Sequence, residues 1–462
     1  MISDIHEPSS LPRILLLSVI LLMLAGCSRD YEDGLAAYEQ KEYEKALEIW
    51  RPLAEQGDAQ ALFSLGYMYA KGEGVVADQD LALDYYRRAA QKGHPKGQFN
   101  LGLAYQRGQS VEKDMDKAIR WFRKSAAGGH TPAMYILGLL RVQGMGMDRD
   151  PVAAMKWFQQ AADKGDSRAQ LALAMMYLEG MGVEKDINKA MQWLRKSAEQ
   201  KNLEAIYRLG MMNPARGVDK DNPEALEKIR KAAQLGYAQA QYDLAEMYLK
   251  GKNVEKDEQK SRTWLLKAAK SGMPRAQNDL AYMYLHGIGG EVDLEQALKW
   301  YEAAAQKDFP KALYALGKLY TEGKAVEQND RKAFGLYKKA AELGDPEAMY
   351  AVGYAYSNGR GTEKSDAIAA EWFRKGSDAG HAESQFALGN LHANGFGVTR
   401  SDELAAKWYC VAAKQGHEHA LQMLMPRDPD NSCGLPQELL DRAKKQSAQA
   451  PVSAMGAMEQ PK

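Results

Sequence analysis

The stretch Asn100–His130, NLGLAYQRGQSVEKDMDKAIRWFRKSAAGGH, recurs along the chain and decides its fold. It is typical of one helix, a glycine-marked loop, a second helix and a glycine stop. Its Leu-Gly step returns every 36 residues, apart from one interval of 35 residues between Leu209 and Leu244. The ten steps are Leu65-Gly66, Leu101-Gly102, Leu137-Gly138, Leu173-Ala174, Leu209-Gly210, Leu244-Ala245, Leu280-Ala281, Leu316-Gly317, Val352-Gly353 and Leu388-Gly389. This period predicts a solenoid, whose units bury their apolar faces only against neighbouring units.

The first helix of the unit has one apolar face. Leu101, Ala104 and Tyr105 fall on that face, and Gly102 beside them lets another helix approach closely. Gly108 then permits a turn that a side chain would obstruct.

The second helix begins after Asp114, whose carboxylate can accept hydrogen bonds from unpaired backbone N–H groups. Its apolar stripe has the spacing i, i+3, i+4, i+7, i+8 that buries one helix face. The stripe consists of Ala118, Trp121, Phe122, Ser125 and Ala126. Gly129 is expected to end the helix in the left-handed conformation.

The pattern predicts an all-α fold: a right-handed α/α solenoid of about eleven helix pairs plus a capping helix. A first pair, Asp30 to Gln40 with Glu42 to Gln56, lacks the long inner loop, and His417 to Met425 forms the cap. The predicted segments are a leader over residues 1–26, the first pair within 27–57, ten repeats over 58–416, a cap and C-terminal helical segment over 417–448, and a disordered tail over 449–462.

The fifth unit departs from the pattern. It is one residue short, places Asn213-Pro214 where a Tyr is expected, has Lys228-Ile229 at the aromatic position, and follows Lys201 instead of a helix-ending glycine. A weakened interface here would let the solenoid flex or divide into halves. Neutral drift in a tolerant unit is the alternative.

The repeat resembles the Sel1-like repeat family, an α/α solenoid class related to tetratricopeptide repeats. The matching elements are Ala-x-x-x-Leu-Gly-x-x-Tyr, Gly-x-Gly-Val, Asp-x-x-x-Ala-x-x-Trp-Phe/Tyr and Ala-Ala-x-x-Gly, between Asp58 and Gly416. The 36-residue period differs from the 34 residues of ordinary tetratricopeptide units. The resemblance implies an adaptor that binds proteins or peptides, with no catalytic residues to carry over.

An apolar run from Ile14 to Ala25 follows Arg13 and ends in Leu24-Ala25-Gly26-Cys27. It is too short to span a bilayer but suits a signal peptide. The Leu-Ala-Gly-Cys step looks like a bacterial lipobox, which implies cleavage before Cys27 and lipidation of that cysteine, with palmitate among the acyl chains. Ser28 then implies sorting to the outer membrane, most simply facing the periplasm. An ordinary signal peptide or a tethered helix is the alternative, and Asp4 and Glu7 in the leader weigh slightly against the lipobox.

The charge balance and the cysteines allow one expectation about partners and one about a disulfide. Lys+Arg and Asp+Glu both number 61, so no net field attracts nucleic acid, and we expect no nucleic-acid partner. Cys410 lies where other units place charged or polar residues and is expected to face solvent, where an oxidising periplasm would not leave it free. A Cys410–Cys433 disulfide is therefore predicted, with two independent thiols as the alternative.

The residues that could carry chemistry favour structural roles. The Gly-x-Gly-Val loops might suggest phosphate binding, but they recur without a preceding strand or a Lys-Ser/Thr ending, so we interpret them as turns. His94, His130, His381 and His417 all follow a helix-ending glycine, which indicates a structural position between units. We predict no catalytic residues, no metal site at His417-Glu418-His419 and no cofactor.

The candidate partner-binding residues lie on the first helices, which usually line the concave side of a curved solenoid. They are Tyr67, Leu103, Ile136, Leu139, Met175 and Met211, with Met176 and Met212 nearby. Apolar residues with adaptable methionines suit recognition of a protein or peptide. The alternative is that most of these side chains tuck under adjacent helices.

Together these patterns predict a non-catalytic outer-membrane lipoprotein, anchored through Cys27, that scaffolds protein–protein interactions in an envelope complex. Two alternatives remain: a surface-exposed or secreted binder of host proteins, and a regulator of a cell-wall or exopolysaccharide export machine. The predicted scaffold architecture resembles the helical-repeat lipoproteins that assemble exopolysaccharide export pores, such as the alginate system.

Overall fold

The computed structural model of the protein describes residues 30–213, 217–218 and 225–441. The predicted leader, the lipidation site Cys27, Pro214 and the predicted disordered tail lie outside these residues. Of the segment predicted as helical from Gln437 to Ala448, residues 437–441 are described, and they are helical. None of the described helices is both long and apolar enough to cross a membrane.

Consecutive antiparallel helix pairs fill both compact units into which the chain divides, between Lys228 and Ile229. In the first unit the helices are α1 (30–39), α2 (Tyr43–Glu55), α3 (Ala59–Lys71), α4 (Gln79–Gln91), α5 (Pro95–Arg107), α6 (Met115–Ala127), α7 (Thr131–Gln143), α8 (Pro151–Asp163), α9 (Ser167–Glu179), α10 (Ile187–Glu199) and α11 (Leu203–Met211), and α12 (Ala225–Gln234) spans the division. Each of these helices from α2 to α10 packs on the helix that follows it. The predicted helix-pair fold is confirmed, and the right-handed sense of the solenoid stays a prediction.

The second unit repeats the arrangement. Its helices are α13 (Ala238–Lys250), α14 (Glu258–Lys270), α15 (Pro274–His286), α16 (Leu294–Ala305), α17 (Pro310–Glu322), α18 (Asp330–Glu342), α19 (Pro346–Asn358), α20 (Asp366–Asp378), α21 (Ala382–Asn394), α22 (Asp402–Lys414), the capping helix α23 (Glu418–Leu424) and α24 (437–441). The identical length of most helices follows from the identical repeat, because most begin at a cap and end within two residues of a glycine.

The capping predictions hold in the second helices. Asp114 Oδ1 accepts from the Lys117 backbone N–H at 2.8 Å, and Asp186 Oδ1 accepts from Lys189 N–H at 2.9 Å. Gly129, just beyond the end of α6, has φ +85°, the left-handed conformation expected of a helix-ending glycine. These local signals set the helix bounds before any packing is considered.

The glycine of the Leu-Gly step allows a close approach of another helix, as predicted. The group that approaches it is an aromatic ring, which belongs to the second helix of the same pair. A Cβ on Gly102 would lie 2.7 Å from Phe122 Cε1, far inside normal contact distance. Gly34 in the first pair meets Trp50 in the same way. Where the step is Leu-Ala, as at Ala174, the ring can be replaced by a leucine, here Leu194. The distance between the two helices of a pair therefore depends on the small residue at this step and on the side chain that packs against it.

The second glycine of the inner loop has a packing role between pairs. Gly182 has φ +70°, and a Cβ there would lie 2.7 to 2.8 Å from the backbone carbonyl of Pro151, the first residue of α8. The loop of one pair thus rests on the backbone of the preceding pair. This contact supports the interpretation of the Gly-x-Gly-Val loops as turns.

The fifth repeat is the irregular one, as its sequence indicates. Helix α11 has 9 residues, where α10 before it has 13, and it is followed by a short antiparallel ladder between β1 (Met212–Asn213) and β2 (Gly217–Val218). Lys201 adopts the left-handed φ of +61° that a glycine takes in other units. The division between the two compact units falls in this repeat, and hinge motion there stays a prediction.

The segment after α23 folds back onto the last helix pair. The structure contains the disulfide between Cys410 and Cys433, with Cα atoms 5.9 Å apart, and Leu435 is buried beside Tyr409 and Leu424. The expectation that Cys410 faces solvent was wrong. It is half-buried because this C-terminal segment covers it.

Candidate partner-binding surface

Four residues of the predicted binding stripe occupy the same position on successive first helices of the first unit. This apolar row consists of Tyr67 on α3, Leu103 on α5, Leu139 on α7 and Met175 on α9. Tyr67 is 37% exposed and the other three are half-buried. Leu103, Leu139 and the nearby Ile136 also pack against the core around Leu137. The row therefore contributes to the core and still presents part of each side chain on the surface.

Met211 does not belong to this row. Its side chain is only 6% exposed, and the neighbouring Met212 is buried as well. The prediction failed because α11 ends early: the chain enters β1 at Met212, so the last residues of the helix turn into the core instead of continuing along the surface. Met176, which the sequence placed near the stripe, is a core residue with 1% exposure.

A column of aromatic–histidine contacts joins adjacent first helices, and the sequence analysis missed it. The ring of Phe63 on α3 stacks on His94 with centroids 4.7 Å apart, and Phe99 on α5 contacts His130 at 4.9 Å. In the second unit Phe386 stacks on His417 at 4.5 Å. The constant separation of 31 residues between the aromatic residue and the histidine is the signal that could have revealed it.

Two of these histidines, His94 and His417, also cap helices with their side chains. His94 Nδ1 accepts from the Gly97 backbone N–H at 3.2 Å, and His417 Nδ1 accepts from Ala420 N–H at 3.1 Å. Burial lowers the pKa of His94 and His417, and it lowers the pKa of His130 to about 4. The imidazoles are therefore neutral at pH 7. The structural position inferred from the sequence is a helix cap between units at His94 and His417, whereas His130 Nδ1 lies 3.2 Å from Ser125 Oγ instead.

These pKa values predict acid-sensitive stability. Because folding depresses the pKa of His130 from its ordinary 6.5 to about 4, the unfolded chain binds the extra proton first as pH falls. The stabilisation is complete above pH 6.5 and is lost progressively towards pH 4. We expect the urea midpoint to fall over this interval. The His94→Asn/His130→Asn variant, which copies the Asn202 cap, should show a smaller fall, and an equal fall in both proteins would contradict this assignment.

The histidine pair after Gly416 and one loop groove do not have the composition of a metal or cofactor site within the described residues. His419 lies 6.1 Å from His417 between ring centroids, but His417 Nδ1 is engaged in the cap. No group of three His, Cys, Asp or Glu side chains within the described residues is arranged to hold a metal ion. A groove of about 520 Å³ beside the loop at Gly289 is lined by Lys256–Gln259 and by glycines, without an apolar floor.

Comparison with known proteins identifies the repeat. The Sel1 repeat family model matches eleven consecutive segments, which include the first pair. They are residues 21–58, 59–94, 95–130, 131–166, 167–202, 203–237, 238–273, 274–309, 310–345, 346–381 and 382–417. Proteins built from such repeats are generally non-catalytic scaffolds suited to protein–protein interaction.

Two solved structures illustrate the similarity. A Sel1 repeat protein from Oxalobacter formigenes is 33% identical, with a TM-score of 0.50 over 67% of this chain and 90% of its own. The protein c5321, described as a protective antigen of uropathogenic Escherichia coli strains, is 29% identical, with a TM-score of 0.48 over 90% of this chain and 99% of its own. No curated protein sequence matches the chain.

Proposed function

The chain belongs to the Sel1 repeat family, and from that premise we propose that it is a non-catalytic outer-membrane lipoprotein whose periplasmic helix pairs scaffold an envelope protein complex. The scaffold part follows from what the repeated residues do. Recurring glycines set helix spacing, recurring aspartates and histidines cap helices, and recurring aromatics fill the space between helices. Because these recurring residues hold the helix pairs together, we infer that a partner is bound by the residues that vary between units.

The apolar row is the observation that carries the binding proposal. Its members lie on successive first helices and expose part of each side chain, in contrast to the buried leucines of the Leu-Gly steps beside them. A partner that crosses several helix pairs would cover them in turn. Such a surface is preformed by the stacking, so binding would require little ordering of the scaffold.

The envelope location is supported by the sequence around Cys27. The run Ile14–Ala25 and the Leu-Ala-Gly-Cys step have the order of a lipoprotein leader, and Ser28 favours the outer membrane. Several acyl chains on one cysteine anchor a protein stably, where a single chain binds a membrane reversibly. The disulfide between Cys410 and Cys433 is consistent with an oxidising compartment.

Replacement of Cys27 tests this location. In the Cys27→Ser variant we expect the protein to leave the outer-membrane fraction, because no acyl chain can be attached. The matched control, Cys410→Ser/Cys433→Ser, removes the other two cysteines and should stay in that fraction. Retention of Cys27→Ser in the outer membrane would contradict lipid anchoring. Protease added to intact cells should spare a periplasmic protein, whereas digestion would indicate surface display.

A further inference from the structure

The first three helices that carry the apolar row contain no carboxylate. Helices α3, α5 and α7 have no Asp or Glu between their first and last residues, while Lys71, Lys96 and Arg107 are exposed on α3 and α5. Carboxylates occur at both ends of this set, at Glu39 on α1 and Glu179 on α9. The three helices therefore present one basic and apolar surface within the first unit, which we call the carboxylate-free patch.

The first helices of the second unit are different. Each of them carries at least one acidic residue: these are Asp243, Glu246, Asp279, Glu322, Glu347 and Glu383. The repeat itself thus does not require a first helix without carboxylates. The bias in α3, α5 and α7 needs another explanation.

Helix geometry places the cations beside the apolar row. On α5, Lys96, Asn100, Leu103 and Arg107 are spaced i, i+4, i+7 and i+11, so they share one side of the helix. On α3, the Lys71 ammonium lies 5.9 Å from the ring centroid of Tyr67. An anionic group bound to these cations would therefore lie next to an apolar anchor.

The cations are available to a ligand. In the part of the chain that the structure describes, Lys71, Lys96 and Arg107 form no ion pair. Glu73, two residues beyond Lys71, accepts a hydrogen bond from the Tyr38 hydroxyl at 2.6 Å. Binding an acidic group would thus not require the breaking of an existing salt bridge.

We propose that the carboxylate-free patch binds a segment of a partner protein that combines aliphatic or aromatic anchors with Asp or Glu residues. This inference rests on the proposed scaffold function and specifies the partner's chemistry. The apolar row would bury the anchors, and the cations would pair with the carboxylates and reject basic segments. A nucleic acid is less suited, because three cations around an apolar row offer few phosphate contacts.

Selection of peptides on the full chain, purified in detergent, tests the proposal. The probe is a displayed library of random peptides, and a fluorescent single-stranded oligonucleotide is assayed in parallel. We expect the selected peptides to be enriched in Asp and Glu together with Leu, Ile, Phe or Trp. Selection of basic or uncharged peptides, failure to select any peptide, or tighter binding of the oligonucleotide would overturn the proposal.

Charge reversal then locates the site. The Lys71→Glu/Lys96→Glu/Arg107→Glu variant should bind a selected peptide about tenfold more weakly. Each exposed ion pair that is lost contributes only part of this decrease in affinity, and the three losses together produce it. The matched control reverses three cations on first helices of the second unit: Lys250→Glu, Arg275→Glu and Lys311→Glu. It should bind within about twofold of the wild type. Equal weakening in both variants would overturn the assignment to the patch.

These outcomes are separable from the failure of the proposed function. Unchanged fractionation of the patch variant with the outer membrane would leave the scaffold and its location intact even if the peptide result were negative. Conversely, if the wild-type protein were not found in the outer-membrane fraction, the proposed location would be wrong. The peptide-binding measurement would still be valid, because it uses purified protein.

Discussion

Gly182→Ala is expected to destabilise the contact between the fourth repeat and its predecessor by about 3 kcal/mol. The substitution combines two costs. A left-handed φ of +70° is unfavourable for alanine by about 1–2 kcal/mol, and the new Cβ would lie 2.7 Å from the Pro151 carbonyl carbon, which cannot move independently of α8. Hydrogen exchange of the amides in α8 and α9, which reports local opening free energies, measures the effect.

Gly165→Ala is the matched control for this loop substitution. Gly165 also has a positive φ, +87°, but a Cβ there meets no atom within 4 Å. The control therefore carries the conformational cost alone, about 1 kcal/mol or slightly more. Equal losses in the two variants would show that the loop does not rest on the preceding helix pair.

Gly102→Ala is expected to cost about 2 kcal/mol, although alanine favours helices over glycine by about 1 kcal/mol. The added methyl group would meet the ring of Phe122, which is fully buried and cannot swing into solvent. The chain suggests the compensating change, because it uses Ala174 with Leu194 at the same two positions. Gly102→Ala/Phe122→Leu should therefore be at least about 1 kcal/mol more stable than the sum of the two single effects predicts.

Gly335→Ala controls for helix propensity. Gly335 lies inside α18, where a Cβ would meet nothing within 4 Å, so the substitution should stabilise that helix by up to about 1 kcal/mol.

Additive effects of Gly102→Ala and Phe122→Leu on the free energy of unfolding would contradict the account in which the glycine makes room for the ring. Local opening free energies by hydrogen exchange provide the measurement for all of these variants.

The fold was predictable from the sequence because its determinants are local and repeated. A capping aspartate such as Asp114, a helix-ending glycine such as Gly129 and a fixed period specify each helix pair without reference to distant residues. The disulfide observed between Cys410 and Cys433 was also foreseen, from the unusual residue type at position 410.

The binding surface was less predictable because exposure depends on the ends of elements. Met211 has the repeat position of Leu139, yet it is buried because α11 stops at that residue. The stacking of Phe63 on His94 was not predicted, because Phe63 by itself is typical of a core residue and His94 by itself is typical of a residue at a helix boundary. The carboxylate-free patch becomes visible only when α3, α5 and α7 are compared with the first helices of the second unit.

Site-specific photocrosslinking in the intact envelope tests most directly whether partners bind on the first helices. A photoreactive amino acid is placed at Leu103 or Met175 in the apolar row, and at Arg123 on the exposed side of α6 as the control. We predict discrete adducts with one or a few envelope proteins from the two row positions and none from position 123. No adduct from the row, or the same adducts in equal yield from position 123, would contradict the scaffold account.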